Sequence, residues 1–494
     1  MVVQPNRTRA GCRGPHLSAP PEGRRPVPDR RPAILLITTD QLRRDAIGCY
    51  GATAVATPHL DRLAGAGTVY DQAYTASPWC LPSRAALVTG LYPRNHGAYS
   101  NFRDRRLSPA IPNLYTELKG LGYRTGHVGK CHFAPVPYGA ARPDKTLPYD
   151  DFREYYLSLG IDHLDLQDDK QVSVWFGDDY ARELADAGHL ASYREQVWNA
   201  AAKKVFTFPG PVHWHPDAWV GRKATELITA HTGDEPLFAW ASFSGPHFPF
   251  DPPAEYLDRV DPDATGEPVR RDGEFDDPAR IHHRSWKGSV KGWIESGVNS
   301  EHTDEYWRRL RHHYLANVAL IDDQIGAVIA AAEERFGDEL VVVFSCDHGE
   351  MLGNHGLWGK GNCFYDDVLR VPLIHRRAGR RQTGTRSDAL VSLVDVFPTL
   401  VAAAGGSPAP VDGHDLDGPG HQHVFAEGEG FSVVTDGRHK LATVRKAGTE
   451  HTEMFDLSLD PYEFDDIAGE PSYAEQQRDL LTATVAAYMD TLLP

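Results

Sequence analysis

The chain has few cysteines, and they show no pairing pattern. Six cysteines occur among 494 residues, with no Cys-x-x-Cys pair and no dense framework, at positions 12, 49, 80, 131, 346 and 363. This usage is not that of a small disulfide-stapled scaffold, so we expect reduced, mostly buried thiols. We therefore predict a reducing compartment and a cytoplasmic location.

The chain also lacks an excess of positive charge and a long apolar run. Its formal net charge of −17 disfavours binding to nucleic acid or to an anionic membrane through bulk charge. No apolar run approaches the roughly 20 residues of a membrane helix, and we predict neither a nucleic-acid nor a membrane partner. Residues 1–32 are rich in Arg and Pro without an apolar stretch, which predicts a disordered arm and not a secretory signal.

Three short apolar runs predict strands that are buried on both faces of a parallel sheet. They lie at residues 33–38, 237–241 and 340–344. Polar residues directly follow each run, as the pairs Asp40-Gln41, Pro246-His247 and Asp347-His348. Because sites in open α/β sheets collect at the carboxyl ends of strands, we expect these polar groups to converge.

Helical and strand-like patterns predict the remaining architecture. Apolar residues spaced by three and four predict a helix at about 303–336, and residues 390–404 indicate a second buried helix. The fold class is therefore predicted to be α/β, with a large, mixed, mostly parallel sheet sandwiched by helices. The predicted catalytic domain covers residues 33–405, with long insertions near the site entrance at about 135–216 and 251–300.

The composition changes after Gly405, and this change predicts a smaller C-terminal α+β subdomain over residues 406–494. Short β-like runs at residues 431–435 and 440–444 indicate an antiparallel sheet. A final amphipathic helix at about 473–492 is expected to close this subdomain.

Cys80 lies in a segment that predicts the start of a helix. Pro82 suits the first turn of a helix, and residues 85–88 continue it. Cys80 is thereby placed just before a helix N-terminus, where free N–H groups favour an anion, and Arg84 adds a positive charge. The segment alone leaves a second interpretation open, a buried structural cysteine at a helix start.

The segment from Cys80 to Gly90 resembles the C-x-P-S-R-x-x-x-x-T-G motif of the sulfatases, a formylglycine-dependent family of the alkaline-phosphatase-like superfamily. The resemblance extends along nearly all of residues 33–470. It includes segments similar to the family's lysine, histidine and metal elements, at Gly129-Lys130-Cys131-His132, Pro246-His247-Phe248-Pro249, Asp347-His348-Gly349-Glu350 and Gly359-Lys360. The Asp-Gln and Asp-His pairs resemble one metal-site type within this family.

A metal site is predicted at these two pairs. Asp40, Gln41, Asp347 and His348 offer three oxygens and one imidazole nitrogen, which suit a hard divalent cation. Ca²⁺ is our expected ion, with Mn²⁺ and Mg²⁺ as alternatives. The resemblance adds residue 80 to the metal ligands.

The resemblance also implies the catalytic residues. It assigns them as Cys80, Arg84, Lys130, His132, His247 and Lys360. A formylglycine-generating enzyme would convert Cys80 into the nucleophile, and cations would stabilise charge on the departing oxygen. Asn101 is predicted to donate an amide hydrogen bond to the sulfate.

The implied reaction is hydrolysis of a sulfate ester of a sugar, an aryl alcohol or an alkyl alcohol. The nearest alternative is a phosphonate monoester or phosphodiester hydrolase on the same fold. Lys130 and His132 favour the sulfatase, because phosphonate-monoesterase-like members usually lack that Lys-x-His element. An inactive homologue that keeps the metal site is the third alternative.

Overall fold

The structure of the protein is a computed structural model. It describes residues 31–490 except 104, 138–144, 200–204, 275, 278–279, 282–293, 297–302, 362, 380–382 and 447, so that nearly all of the predicted N-terminal arm lies outside the described residues. In chain order the strands are β1 (Ala33–Asp40), β2 (Thr68–Tyr74), β3 (Arg124–Gly129), β4 (His163–Leu166), β5 (Leu237–Pro246), β6 (Ile294–Ser296), β7 (Leu340–Cys346), β8 (Leu357–Gly359), β9 (Leu373–Arg376), β10 (Thr385–Ser392), β11 (Val424–Gly428), β12 (Phe431–Thr435), β13 (His439–Lys446) and β14 (Thr449–Asp456).

The α-helices lie mainly between these strands. They are α1 (Pro58–Ala64), α2 (Cys80–Thr89), α3 (Pro93–His96), α4 (Leu114–Gly120), α5 (Asp150–Ser158), α6 (Lys170–Trp175), α7 (Asp179–Asp186), α8 (Leu190–Asn199), α9 (Pro216–Ala230), α10 (Ala254–Leu257), α11 (Asp304–Phe336), α12 (Asp366–Leu369), α13 (Val396–Ala403) and α14 (Ala474–Asp490).

Eight strands form the main sheet, in the order β10-β2-β9-β7-β1-β5-β3-β4. Its pairs are parallel except for β2 with β9 and β7 with β9, which are antiparallel. Helices α9 and α11 pack together and against β5, whereas α4 packs against β3 and α13. The predicted fold class, a mixed and mostly parallel sheet with helices, is confirmed.

The central strands explain why the apolar runs fold as they do. Every residue of β1, β5 and β7 is buried, as expected for strands covered on both faces. Because β1 lies between β7 and β5, the carboxyl ends of all three strands meet at one edge of the sheet. This edge carries the polar pairs that the sequence places after each strand.

The C-terminal segment forms a second, separate sheet. Strands β11, β12, β13 and β14 pair in chain order, and all of these pairs are antiparallel. Helix α14 packs against β12 and β13. The predicted antiparallel sheet and terminal helix are therefore present, while the division of the chain at residue 405 stays a prediction.

Two sequence predictions about secondary structure need correction. The predicted helix at 390–404 is shorter, because residues 390–392 end strand β10 and the α-helix covers only Val396–Ala403. An all-apolar run fits either a strand or a helix, so its pattern could not separate the two. Residues 135–216 are predicted as an insertion, but they include strand β4, which belongs to the main sheet. They also form helices α5 to α8.

Helix α11 bears on the prediction that no segment could cross a membrane. This helix is the one described segment that is long and apolar enough by length and composition. Most of its apolar stretch is buried against the rest of the protein, as in the core helix of a folded domain.

Candidate active site

The edge formed by β7, β1 and β5 brings the predicted metal ligands together. The Nε2 atom of His348 lies 3.6 Å from Oδ1 of Asp40 and 3.7 Å from Oδ1 of Asp347. The ligand atoms of Asp40, Cys80, Asp347 and His348 all lie within 4.8 Å of one another. The predicted convergence of strand ends is therefore present in the structure.

Cys80 lies at the centre of this group. Its Sγ atom is 2.8 Å from Nζ of Lys360, 3.2 Å from Nε2 of His348 and 3.8 Å from Oδ1 of Asp40. The residue is an unmodified cysteine, so Sγ marks where the oxygen of an oxidised and hydrated residue 80 would lie. A cation, an imidazole and a carboxylate thus surround the position of the predicted nucleophile.

Local sequence fixes Cys80 in this place. Helix α2 begins at Cys80 itself, with Pro82 in its first turn, and all ten of its residues are buried. The backbone N–H of Leu81 donates to Oδ1 of Asn101 over 2.9 Å, and Oγ of Ser83 donates to the Asp347 carbonyl over 2.6 Å. Hydrogen bonds to Asn101 and to Asp347 therefore hold the first turn of the helix in place.

The donor set fits a divalent cation. The Nδ1 atom of His348 donates to the Gly349 carbonyl over 2.9 Å, which leaves Nε2 as the ligand atom that faces Cys80. Gln41, held at a φ of 65°, donates its amide N–H to Glu350, while its buried Oε1 has no hydrogen-bond partner among the described residues. The backbone N–H of Gln41 donates to Oδ1 of Asp347 over 3.1 Å, and a buried, unpartnered amide oxygen on such a residue is what a bound hard cation would satisfy.

Arg84 links the metal ligands to the neighbouring strand. Its Nε donates to Oδ2 of Asp347 over 2.8 Å, and one Nη donates to Oγ of Ser242 over 2.8 Å and to the Lys130 carbonyl over 3.0 Å. The second Nη lies 3.9 Å from Oδ2 of Asp40 and has no hydrogen-bond partner in the part of the chain that the structure describes. This buried guanidinium retains donor capacity for an anion.

Two buried lysines flank the Asp40 carboxylate on different sides. The ammonium group of Lys130 forms an ion pair with Oδ2 of Asp40 and a second one, at 2.5 Å, with Oδ2 of Asp169. The ammonium group of Lys360 lies 3.6 Å from Oδ1 of Asp40, next to Cys80. Lys130 therefore occupies the Oδ2 side of Asp40, and Lys360 shares the Oδ1 side with the nucleophile.

The two predicted histidines are also buried in this region. His247 donates from Nδ1 to the Phe248 carbonyl over 2.7 Å, and the same atom lies 3.9 Å from Oδ2 of Asp169. Among the described residues, both ring nitrogens of His132 lack a hydrogen-bond partner, and its backbone N–H donates to Asp168 over 2.8 Å. The predicted role of His132 in proton transfer stays a prediction.

The charges in the site shift the acidity of its groups. Burial and Asp40 raise the pKa of the Cys80 thiol, but Lys360, Lys130 and His348 outweigh them and hold it well below its ordinary value. Burial also raises the pKa of Asp169, yet Lys130 and His247 lower it to about 2. The site is therefore built to stabilise negative charge at residue 80.

Asn101 uses its side-chain oxygen on the protein itself. Its Oδ1 accepts the Leu81 N–H, so the residue supports the first turn of α2 beside Cys80. The predicted hydrogen bond from its amide group to a sulfate stays a prediction.

Two buried aspartates beside the predicted site residues were missed by the sequence reasoning. Asp168 accepts the backbone N–H groups of Cys131 and His132, and Asp169 joins Lys130 to the neighbourhood of His247. Both follow β4, which is only four residues long and pairs in parallel with β3. The alternation of polar and apolar residues over 163–166 was the available signal, with polar residues after the strand end as elsewhere in the sheet.

Comparison with known proteins identifies the family. The model of the family described as Sulfatase matches residues 32–407. The chain is 31% identical over 435 residues to an uncharacterized sulfatase, YidJ, of Escherichia coli, covering 85% of this chain and 75% of the relative. It is 27% identical to an arylsulfatase of Clostridium perfringens, covering 90% of this chain and 92% of the relative.

A solved structure shows the same fold. The phosphonate monoester hydrolase of Silicibacter pomeroyi superposes with a TM-score of 0.74 at 23% identity, covering 93% of this chain and 96% of that one. Fold and site together define a hydrolase with a buried anion-stabilising centre, of the alkaline-phosphatase-like class. The chain belongs to the sulfatase family. It is a sulfuric ester hydrolase.

Proposed function

We propose that this enzyme hydrolyses a sulfate ester to an alcohol and inorganic sulfate, with a formylglycine made from Cys80 as the nucleophile. The observation that carries the proposal is the position of the Cys80 Sγ, 2.8 Å from Lys360 Nζ and 3.2 Å from His348 Nε2. The proposed substrate class is a small sulfated sugar, aryl alcohol or alkyl alcohol, and the name of the arylsulfatase relative supports the aryl member of this class.

Asp40, Gln41, Asp347, His348 and residue 80 are the proposed ligands of one divalent cation, with Ca²⁺ our choice for this oxygen-rich set. When bound, the cation supplies positive charge that favours the deprotonated nucleophile and the sulfate oxygens. Arg84 supports the same group, because its Nε holds Asp347 and its second Nη keeps an unused donor.

The chain's own residues divide the proposed reaction between them. One hydroxyl group of the hydrated formylglycine loses its proton to solvent, and its oxygen then forms a bond to sulfur while the bond from sulfur to the alcohol oxygen breaks. Lys360 donates the proton that the departing alcohol needs, or His247 does in its doubly protonated form, which the bound anion would have to favour because burial and Lys360 lower the pKa of His247 to about 3. Lys130 contributes positive charge to the departing oxygen. His132 then takes the proton of the second hydroxyl, so that the C–O bond breaks, sulfate leaves and the aldehyde returns.

Maturation of Cys80 requires a partner in this proposal. Cys80 is only 1% exposed in the folded chain. A formylglycine-generating enzyme would therefore act before folding is complete, while the segment is still accessible. The cytoplasmic location and the oxidation of Cys80 both stay predictions.

A phosphonate monoester hydrolase is the second candidate, and the fold similarity to such an enzyme favours it. Sulfate and phosphonate esters share a tetrahedral anionic group, so the fold accommodates either. Lys130 supports the sulfatase assignment, because its buried ammonium group pairs with both Asp40 and Asp169, and His132 is buried two residues further along the same segment.

Parallel assays test the proposal. We expect kcat/KM for 4-nitrophenyl sulfate to exceed that for 4-nitrophenyl phenylphosphonate, and faster phosphonate turnover would overturn the sulfatase assignment. Cys80→Ala should lower either activity by about 10⁴-fold or more, since removing a nucleophile has effects of this size. Peptide mass spectrometry of active protein should show the aldehyde at residue 80, and an unmodified thiol in fully active protein would contradict the mechanism.

A further inference from the structure

A buried cluster of charged side chains contacts residues 245–251, the segment that carries His247. Lys170 Nζ is 2.6 Å from Oδ1 of Asp251 and 3.5 Å from Oδ2 of Asp217, and all three side chains are fully buried. Tyr193 donates its hydroxyl to Oδ2 of Asp251 over 2.7 Å. No proposed step of the reaction uses these residues.

This cluster holds both ends of residues 245–251. At one end, the Gly245 N–H donates to Oδ1 of Asp217 over 2.7 Å. At the other end, Lys170 Nζ reaches the Pro249 carbonyl at 3.5 Å as well as Asp251. His247 lies between these two attachments, so the cluster fixes the backbone from which its imidazole projects.

Gly245 shows how close this attachment is. A Cβ atom at position 245 would lie 2.3 Å from Oδ2 of Asp217 and 2.8 Å from Cδ1 of Ile321. Only a residue without a Cβ lets the backbone approach the carboxylate this closely.

The residue before Lys170 acts on the other side of His247. Asp169 is held by the Gln171 N–H, which donates to its Oδ1 over 2.8 Å. Its Oδ2 pairs with Lys130 at 2.5 Å and lies 3.9 Å from Nδ1 of His247. Asp169 therefore pairs with Lys130 and lies near His247, whereas Lys170 holds the backbone of the segment that carries His247.

We propose that Asp169 and Lys170 are positioning residues that place Lys130 and His247 for cleavage of the ester bond, an inference that rests on the proposed sulfatase function. Burying a charged pair is a weak way to stabilise a fold, because desolvation offsets the attraction. The burial of Lys170, Asp217 and Asp251 at the ends of residues 245–251 is better explained by the position in which they hold this segment. Misplacing a catalytic group by about 1 Å costs about 100-fold in rate.

The test compares two esters that differ in how much help their leaving groups need. Lys170→Met and Asp169→Asn are assayed by kcat/KM on phenyl sulfate, a poor leaving group, and on 4-nitrophenyl sulfate, a good one. We expect losses of about 10- to 100-fold on phenyl sulfate and a clearly smaller loss on 4-nitrophenyl sulfate. Lys170→Arg keeps the positive charge and should recover part of the activity on phenyl sulfate.

Lys440→Met is the matched control, because Lys440 is also a buried lysine between two carboxylates, Asp366 and Glu463, and contacts no proposed catalytic residue. Its ratio of the two kcat/KM values should equal that of the wild type. Equal losses on both esters in the Lys170 and Asp169 variants, or no loss, would overturn the inference. A wild-type enzyme that cleaves neither ester would instead overturn the proposed function.

Discussion

Two parts of the molecule each bury a lysine between two carboxylates, and they differ in what surrounds the pair. Lys130 at the carboxyl edge of the main sheet pairs with Asp40 and Asp169, and Lys440 in β13 pairs with Asp366 and Glu463. Around Asp40, Lys360 and His348 converge on a cysteine thiol, and Gln41 and Arg84 keep an acceptor and a donor that have no hydrogen-bond partner among the described residues.

The Lys440 cluster instead joins strand β13 to Asp366 in helix α12 and to Glu463. Glu463 accepts the Asp366 backbone N–H over 2.6 Å, and Tyr74 donates its hydroxyl to Asp366 over 3.2 Å. The burial of Glu463 raises its pKa to about 8 despite the nearby lysine. A buried ion pair with a shifted pKa is therefore no sign of a catalytic site by itself, and the convergence of unused polar atoms on a nucleophile is the distinguishing feature.

Of the tests of this comparison, metal removal should have the largest effect on activity, and it should act on the Asp40 site but not on the Lys440 cluster. Extraction with a chelator is expected to lower kcat/KM by about 10³-fold, because metal stabilisation of charge is worth several kcal/mol. Activity should return on addition of Ca²⁺ or Mn²⁺, measured alongside the metal content of the protein.

The same extraction should leave the Lys440 cluster unaffected, since it lies outside the ligand group of Asp40, Cys80, Asp347 and His348. The near-ultraviolet spectrum of the folded protein serves as the control for global unfolding. Full activity in protein shown to be metal-free would contradict the proposed metal site.

Exchange of each lysine for methionine is the second way to test the comparison. Lys130→Met should lower kcat/KM by about 100-fold, because it removes positive charge beside the bound anion. Lys440→Met should keep kcat/KM within about twofold, since distant sites act independently, while its free energy of unfolding falls by about 3–5 kcal/mol. Denaturant unfolding and steady-state kinetics on both variants measure the two effects.

The reverse result would be decisive. If Lys440→Met lost activity per folded molecule as strongly as Lys130→Met, the C-terminal sheet would take part in catalysis, and the contrast between the two clusters would be wrong.

The sequence predicted the centre of the sheet and its edge well, for a physical reason. Strands β1, β5 and β7 begin with apolar runs and are buried along their whole length, because both faces are covered, and polar residues lie at or just after their carboxyl ends. The same pattern located Asp40, Asp347 and His348, because parallel strands end at one edge. The resemblance to the family then supplied Lys130, His132 and Lys360, which no periodicity could have brought together.

Other parts were not predictable in this way. Asp169 and Lys170 follow a four-residue edge strand with no continuous apolar run, and the short polar–apolar alternation over residues 163–166 did not mark this strand as part of the main sheet. The contact of Asp217 with Gly245 joins residues 28 positions apart on different elements. Such contacts depend on how helix α9 packs against strand β5, and the local pattern of apolar residues in the sequence does not encode this packing.

The smallest expected effect concerns Asn101, which supports α2 at the site. Asn113 is its matched control, because its Oδ1 likewise accepts backbone N–H groups at a helix start, from Tyr115 and Thr116 in α4. Replacing either asparagine by alanine should lower the free energy of unfolding by about 1 kcal/mol, as for loss of a helix cap. Only Asn101→Ala should also lower kcat/KM, because Leu81 follows the nucleophile directly. Equal kinetics in the two variants would limit Asn101 to a structural role and remove it from the predicted sulfate-binding residues.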